Sequence, residues 1–531
     1  MPPAPRSLPS REVVIAGLRS ADAFDLIVVG GGATGLGTAL DAAARGFSTL
    51  LLEAEDFSKG TSSRATKLVH GGVRYLAQGN VSLVREALRE RRLFLDNAPH
   101  LAQPLSFLVP AYGITGRFWD LPFYGIGLAI YEALSGSERL GRVGLLGRTR
   151  ALAAAPGLQS KRLAGAIRYW DGQFDDARFA VALARTAIRE GATVLNHCRV
   201  TGLLCEDDRV TGVAVEDRET GDRVEVRGRC VVNATGVWVD GLRKLDEPGA
   251  ADLVAPSQGV HLVVDREHFP SSSAMLVPKT ADGRVLFAVP WLGKLLLGTT
   301  DTPRRDLPLE PRPFSEEVDF ILGEAARYLD RPPTRADVRS AWVGLRPLVR
   351  PRAGDRETKR ISRGHLVSVS PHGLVTVTGG KWTTYRAMAE DVLAACFDRG
   401  LLVSRPAGVT RRLRLVGAPP PGVAPTPLSA PPGMHLYGTE AAAVAALPGG
   451  DRWLLPGLSE GMVRFAVRRE LARTVEDVLA RRSRTLFLDA VAAAGVAGKV
   501  AAIVADELGP QFDATASTAA FEQLAAGYRL T

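Results

Sequence analysis

Cysteine is scarce: four in 531 residues, Cys198, Cys205, Cys230 and Cys396, with no CxxC pair and no regular spacing. That excludes a disulfide-built scaffold and reads as the reduced thiols of a cytosolic chain. Clustered His/Cys ligands and a DxDxDG calcium loop are also missing, so no metal is expected. The N-terminus MPPAPRSLPSREVVIAGLRS lacks the apolar core of a signal peptide. No apolar run reaches spanning length, and the longest candidate, LPFYGIGLAI, is short and flanked by Asp120 and Glu132. A stretch of that kind is able to lie on a membrane without crossing it. There is no internal repeat.

What is present is a soluble-type composition, 46% hydrophobic and 23% charged, in a chain long enough for two or more domains. Lysine and arginine outnumber aspartate and glutamate 66 to 57, a net charge of +9. An anionic substrate, an acidic membrane surface, nucleic acid or a merely arginine-rich composition all account for that surplus.

Along the chain, residues 1–22 read as a flexible tail. From Leu26 to Leu52 the pattern is strand, glycine turn, helix, strand, the βαβ opening of a parallel sheet. Short strands recur from ATVLNHC to NATG, and β-rich runs between Val254 and Val377 imply a second, mainly antiparallel sheet interleaved with the first. Residues 403–433, including the proline-rich VGAPPPGVAPTPLSAPPG, read as a linker, and 434–531 as a C-terminal helical domain with apolar residues at helical spacing.

Gly30, Gly32 and Gly35 stand as GxGxxG between strand and helix, and Glu53 ends the next strand. Such a turn brings backbone N–H groups at a helix N-terminus to a pyrophosphate, and the carboxylate accepts from ribose hydroxyls. NAD and FAD both fit. GTSSRATKLVHGG favours FAD: Thr61, Ser62 and Ser63 supply hydroxyl and backbone donors, Lys67 a cation, and Gly71 and Gly72 room for a flat ring.

GGGATGLGTALDAAARG, TSSRATKLVHGGVRYL, NATGVWVD, LLGTTD, WVGLRPL and TGGKWTTYR occur in that order, and with them the chain resembles the FAD-dependent glycerol-3-phosphate dehydrogenase family of the D-amino-acid-oxidase-like flavoproteins. The match covers roughly residues 23–400, and AVRRELARTVEDVLARRSRTLFLDA resembles the family's helical C-terminal domain. The resemblance implies an α/β fold in which a Rossmann-like FAD domain within 23–402 is assembled from discontinuous segments around a substrate domain. It also implies cofactor contacts from Asn233, Ala234 and Gly236, and from Gly379, Gly380, Thr383 and Thr384 on the pyrimidine side of the ring.

A dianionic substrate calls for cations, and Arg74, Arg346, Arg363 and Lys381 match positions lining the family's active site, with Arg360 as the neighbouring alternative to Arg363. The expected base is His261, because imidazole titrates near operating pH; Lys381 or water is the alternative, with the cations stabilising an alkoxide. Thr300 is expected to hydrogen-bond the substrate. Asp175, Asp176 and Arg178 read as helix-start chemistry. The implied reaction oxidises sn-glycerol 3-phosphate to dihydroxyacetone phosphate, with electrons passing to membrane quinone. The rivals are an oxygen-using oxidase of the same fold and a flavin-containing nucleic-acid-modifying protein. Expected partners are glycerol 3-phosphate, quinone or another acceptor, and an anionic membrane surface at the inner face of the cytoplasmic membrane, with a homodimer admissible and no nucleic acid.

Overall fold

β1, Phe24–Val29, is apolar on both faces because it is covered on both: Leu26, Ile27 and Val28 have no accessible surface, as in a central parallel strand. The computed structural model describes residues 9–72, 80–280, 283–350 and 364–530. β1 pairs in parallel with β2, Thr49–Leu52, and with the far end of Arg223–Asn233. The path across this sheet is His365–Val369, Val375–Gly379, Arg223–Asn233, β1, β2, Thr193–Leu195. One face carries α2, Ala33–Ala44, with the helices Asp176–Arg189 and Tyr385–Asp398 packed beside it. The other carries an antiparallel meander, Cys198–Glu206 and Arg209–Asp217, joined to the first half of Arg223–Asn233.

A second sheet of ten strands is almost wholly antiparallel. Its long strand Val254–Asp265 lies between Lys294–Gly298 and Ser340–Val349, placing His261 opposite both Gly298 and Trp342. Because segments 68–69, 102–174 and 254–349 belong to this sheet while those between and after belong to the first, the chain weaves between the two as expected for a Rossmann-like FAD domain with an interleaved antiparallel one.

The expected flexible tail is corrected at residues 11–20. They form α1, Arg11–Ser20, capped by the Ser10 side chain, with Ile15 and Leu18 buried against the meander. The i, i+3 spacing of those two residues gives the helix one apolar face, and Arg11 fixes it by pairing with Asp217 at 2.8 Å.

Residues 403–433 contain neither helix nor strand, yet Leu415 and Leu428 are buried in the main core, so the segment is strapped to the body. Helices Glu460–Glu470, Ala490–Leu508 and Ala514–Ala526 are the longest elements of the C-terminal region. The apolar run around 463–494 is interrupted at Leu471 and Arg484, both in the left-handed backbone region.

The C-terminal region is fastened by buried ion pairs, including Arg178–Glu470 at 2.8 Å and the partly buried Arg185–Glu440 at 2.6 Å. His197 reaches Asp477 at 2.9 Å. Burial pushes this imidazole down, but the charge and hydrogen bond of Asp477, with Asp56 and Glu219 nearby, more than offset it and raise it above the usual 6.5. A raised histidine stabilises fully below its unfolded value and loses that contribution as pH climbs through the folded value. The melting temperature is therefore expected to decline from about pH 6.5 upward. A calorimetric pH series should show that decline flattened in His197→Gln; an unchanged slope would rule the pair out.

Candidate active site

The ends of β1 and Arg223–Asn233 meet at the glycine turn. Gly30 has φ +109°, and a Cβ there would lie 2.6 Å from the Ala234 carbonyl oxygen. At Gly35 a Cβ would come within 1.9 Å of the Gly30 carbonyl oxygen. These positions thus let α2 start directly behind the strand ends. Gly32 is the N-cap of α2 and offers no side chain of its own to the first-turn N–H groups. Glu53 is fixed at the end of β2, its Oε2 accepting from the Gly31 N–H at 2.5 Å and its Oε1 from the Glu55 N–H at 2.8 Å. Burial raises its carboxyl above the usual range.

Residues 60–72 form a seam between the sheets. Thr61 donates to the Leu345 carbonyl at 2.6 Å, and the Ser62 hydroxyl accepts from the Ala33 N–H at 3.0 Å. Trp382 Nε1 donates to the Ser62 carbonyl at 2.8 Å, and Leu68–Val69 pairs with the second sheet. The His70 N–H donates to the Thr383 hydroxyl, which in turn donates to the His70 carbonyl, both at 3.3 Å. Trp382 is held by edge contacts with Phe174 and Phe179, which fixes the second helix entrance, Trp382–Thr384 leading into Tyr385–Asp398. Gly379 and Gly380 turn the chain from strand to Lys381 there, and the Gly236 carbonyl accepts from Thr378 at 3.3 Å. Two helix N-termini and one polar loop therefore face a common crevice. An extended dinucleotide with a flat ring fits this: a narrow turn for the pyrophosphate, and a second N-terminus for negative charge at the other end.

Several expected roles need correction. Lys67 does not face the crevice. Its ammonium is fully enclosed, donating to the Asp176 carboxylate at 2.7 Å and the Ser63 carbonyl at 2.8 Å, with the Trp342 ring 4.4 Å away. Thr61 and Ser62 direct their hydroxyls to protein partners, and Ser63 is buried. What a side chain at Gly71 would strike is the Tyr131 hydroxyl, at 2.5 Å, and Leu88 rather than open space. The Asn233 amide donates to the Val239 carbonyl at 2.9 Å and accepts from Thr235 at 2.7 Å, so it shapes the strand end from within. Thr300 is 1% exposed and its hydroxyl is taken up by Glu317 at 2.8 Å. The partly exposed neighbour Thr299 is the one on the open side, 3.2 Å from Arg346 Nη2.

His261 is also enclosed, at 2% exposure. Its ring stacks on Trp342 with centroids 4.3 Å apart, and Nε2 shares a hydrogen bond with Thr66 at 2.9 Å. Burial, then the charges of Lys67 and Arg346, hold it well below its ordinary value. A neutral, weakly basic ring with so little exposed surface makes a poor proton acceptor. His70, passed over in the sequence, is half-buried, with its backbone N–H and carbonyl held by the Thr383 hydroxyl. The signal was its place between the loop's hydroxyls and Gly71–Gly72. Arg346 is one-third exposed. Its guanidinium donates to the Gln258 and Thr300 carbonyls at 3.1 and 2.8 Å and pairs with Asp301 at 3.0 Å. Arg74 and Arg363, with the alternative Arg360, lie outside the described residues.

Away from this crevice, a cavity of about 570 Å³ separates α1 from the C-terminal helices. The grouping Asp56, His197 and Asp477 beside it has the geometry of a metal site. Arg481 and Arg482 already neutralise Asp56 there, and Arg481 also pairs with Asp477, so a cation would meet guanidinium groups.

A parallel sheet opening on a glycine turn, completed by a loop shared with an antiparallel sheet, defines an FAD-type oxidoreductase. Residues 25–386 match the FAD dependent oxidoreductase family, and residues 427–514 match the C-terminal domain of alpha-glycerophosphate oxidase. The chain is 41% identical to the mitochondrial glycerol-3-phosphate dehydrogenase of Homo sapiens, over 95% of its own length and 73% of the relative's. It is 37% identical to that of Arabidopsis thaliana, over 94% and 86%. The solved glycerol-3-phosphate dehydrogenase of Bacillus halodurans, complexed with FAD, superposes with a TM-score of 0.78 at 30% identity over 98% of both chains. The chain belongs to the FAD-dependent glycerol-3-phosphate dehydrogenase family.

The turn geometry ranks two substitutions. Gly35→Ala forces a methyl into a backbone carbonyl, whereas at Gly32 the nearest atom is the Ser62 hydroxyl at 3.2 Å, which is able to rotate away. Gly35→Ala is expected to destabilise by about 1–3 kcal/mol and to strip the cofactor, while Gly32→Ala keeps most of its stability. Bound-flavin absorbance and melting temperature measured side by side check this, and equal losses would contradict the ranking.

Proposed function

We propose that the chain oxidises sn-glycerol 3-phosphate to dihydroxyacetone phosphate and passes the electrons to membrane quinone while seated on the inner face of the cytoplasmic membrane. The observation that carries the reading is the near-full-length match to glycerol-3-phosphate dehydrogenases, 41% identical over 95% of the chain. Bound FAD supplies the hydride acceptor.

The chain's own residues have three tasks. Gly30, Gly32, Gly35 and Glu53 receive the dinucleotide end of FAD, while Ala234, Gly236, Gly72, Gly379, Gly380 and Thr384 border the crevice toward its ring. Lys381 and Arg346 neutralise the substrate phosphate. Arg346 enters that role already oriented by Asp301 and two carbonyls, so a phosphate would compete with Asp301 for one edge of the guanidinium. His70 accepts the proton of the C2 hydroxyl; its half-buried position, with its backbone tied to Thr383 at the second helix entrance, supports this over the enclosed His261. Arg74, which lies outside the described residues, is carried as a further phosphate ligand.

Arg346→Ala is expected to lower kcat/KM for glycerol 3-phosphate by about thirtyfold to several thousandfold, equivalent to ~2–5 kcal/mol, with partial recovery in Arg346→Lys. Glycerol, which has no phosphate, should be a poor substrate and much less affected. His70→Asn should reduce kcat by about 10²–10⁴-fold, and His261→Asn should act mainly on melting temperature. The reverse pattern for the two histidines would return the base to His261.

For the membrane, the helix Leu121–Ser135 is the relevant surface. It is too short to cross, and among the described residues no helix is long and apolar enough to do so. Phe123 and Ile126 on it are 72% and 64% exposed, with Trp119 and Phe118 just before it. Exposed aromatic and aliphatic residues on one short helix fit interfacial docking. Phe123→Glu with Ile126→Glu should abolish co-sedimentation with anionic vesicles and leave FAD content unchanged. Retained sedimentation would remove this helix from the membrane reading.

A further inference from the structure

Arg484 comes from the C-terminal region but ends beneath the cofactor loop. It is the N-cap of the short helix Thr485–Leu488 and has no accessible surface. Its Nη2 donates to the Ser63 carbonyl at 2.9 Å and to Asp176 Oδ1 at 3.1 Å, while Nη1 holds the Ala480 carbonyl at 2.9 Å. Lys67 approaches the same two acceptors from the loop side, Ser63 at 2.8 Å and Asp176 Oδ2 at 2.7 Å. The Phe487 ring lies 4.1 Å from the Arg484 guanidinium and 5.5 Å from the Lys67 ammonium, and Trp342 separates Lys67 from His261.

Arg484 and Lys67 both adopt φ +65°, a conformation that residues with a Cβ hold only when their surroundings enforce it. Here two strained residues converge on one carbonyl. A carbonyl gripped by two cations has a fixed direction, and Ser63 directly follows Ser62, whose hydroxyl meets the first turn of α2 and whose carbonyl meets Trp382. Loop orientation is thus set from the C-terminal side.

We propose that Arg484 is a positioning residue for the reaction: through Ser63, Asp176 and Lys67, the C-terminal helices hold the 60–72 loop in the form that receives the cofactor. The proposal rests on the reading that this loop borders bound FAD. A purely structural role would be shared with Arg185, which ties Glu440 to the helix Asp176–Arg189 without touching the loop.

The test uses the full-length holoenzyme and the variants Arg484→Met, Arg484→Lys and Arg185→Met. The dissociation constant for FAD, the melting temperature in excess FAD, and kcat and KM for glycerol 3-phosphate are measured for each. Arg484→Met is expected to weaken FAD binding about tenfold or more and, at saturating FAD, to lower kcat with little change in KM, as misplacement of a reacting group does. Arg484→Lys should fall between it and the parent, since an ammonium restores the charge without the fork. Arg185→Met should lower the melting temperature and leave FAD affinity within about twofold. Unchanged FAD affinity in Arg484→Met, or losses that track melting temperature equally in both sets, would overturn the proposal. If Arg484→Met does not fold, Arg484→Lys decides, and parent-like FAD affinity there overturns it. A parent chain that binds no FAD would instead remove the cofactor reading and this one with it.

Discussion

Asp176 carries two carboxylate oxygens into a region without solvent, and four donors converge on them. Oδ2 accepts from the Ala65 N–H at 3.0 Å and from Lys67 at 2.7 Å; Oδ1 accepts from the Ala177 N–H at 2.9 Å and from Arg484 at 3.1 Å. One side chain thereby joins the 60–72 loop, the start of a helix on the first sheet, and the C-terminal region. A buried carboxylate is tolerated when every lone pair is matched, and loss of one partner leaves charge that cannot be hydrated. The same seam passes from Ala65 through Thr66 to His261 and from Thr61 to Leu345, so the second sheet is tied to it as well. The relative placement of the two sheets follows from this cluster more than from any single apolar contact.

The distinction between legible and illegible residues follows sequence distance. Gly30 and Gly35 were readable because the atoms that exclude a side chain at Gly35 belong to Gly30 itself. Lys67 was not, since its enclosure depends on Trp291, Trp342 and Phe487, all more than two hundred positions away. His261 fails in the same manner: a strand histidine reads identically whether or not Trp342 covers it. Thr299 and Thr300 differ by one step along the chain and lie on opposite sides of it, and the motif GTTD does not say which hydroxyl faces the open side. α1 carried a readable signal in its Ser10 cap and its Ile15/Leu18 spacing, masked by the proline-rich start of the chain.

Asp175 and Asp176 show how a correct local reading stops short. Asp175 does cap its helix, accepting from the Arg178 N–H at 3.3 Å, and Asp176 binds the Ala177 N–H in the first turn. Both are what an acidic helix start should do. Their remaining capacity faces Lys67 and Arg484, one 109 and the other 308 positions from Asp176. A cap residue with a spare oxygen is therefore free to serve tertiary structure as well, and propensity has nothing to say about that second bond.

The number of buried arginines has a related explanation. Arg64, Arg91, Arg178, Arg386, Arg481, Arg482 and Arg484 are buried, each against one or more carboxylates. Many of them also hold backbone carbonyls: Arg178 takes that of Arg482, and Arg482 that of Glu470. A planar fork with five donors meets a carboxylate and a carbonyl together in fixed directions, whereas the Lys67 ammonium does so as a compact point charge. These guanidinium groups act as internal fasteners between segments that the sequence weaves apart, and charge used in this way is invisible to an approaching partner. Each is cancelled by a carboxylate partner, so these pairs do not account for the net +9, and a bare net charge does not say what this surface binds. The exposed apolar face of Leu121–Ser135 says more, because the fold leaves Phe123 and Ile126 in water although Leu128 and Tyr131 on the same helix are buried against the body. A helix that is anchored on one side and apolar on the other is already oriented for a surface that supplies the missing contacts.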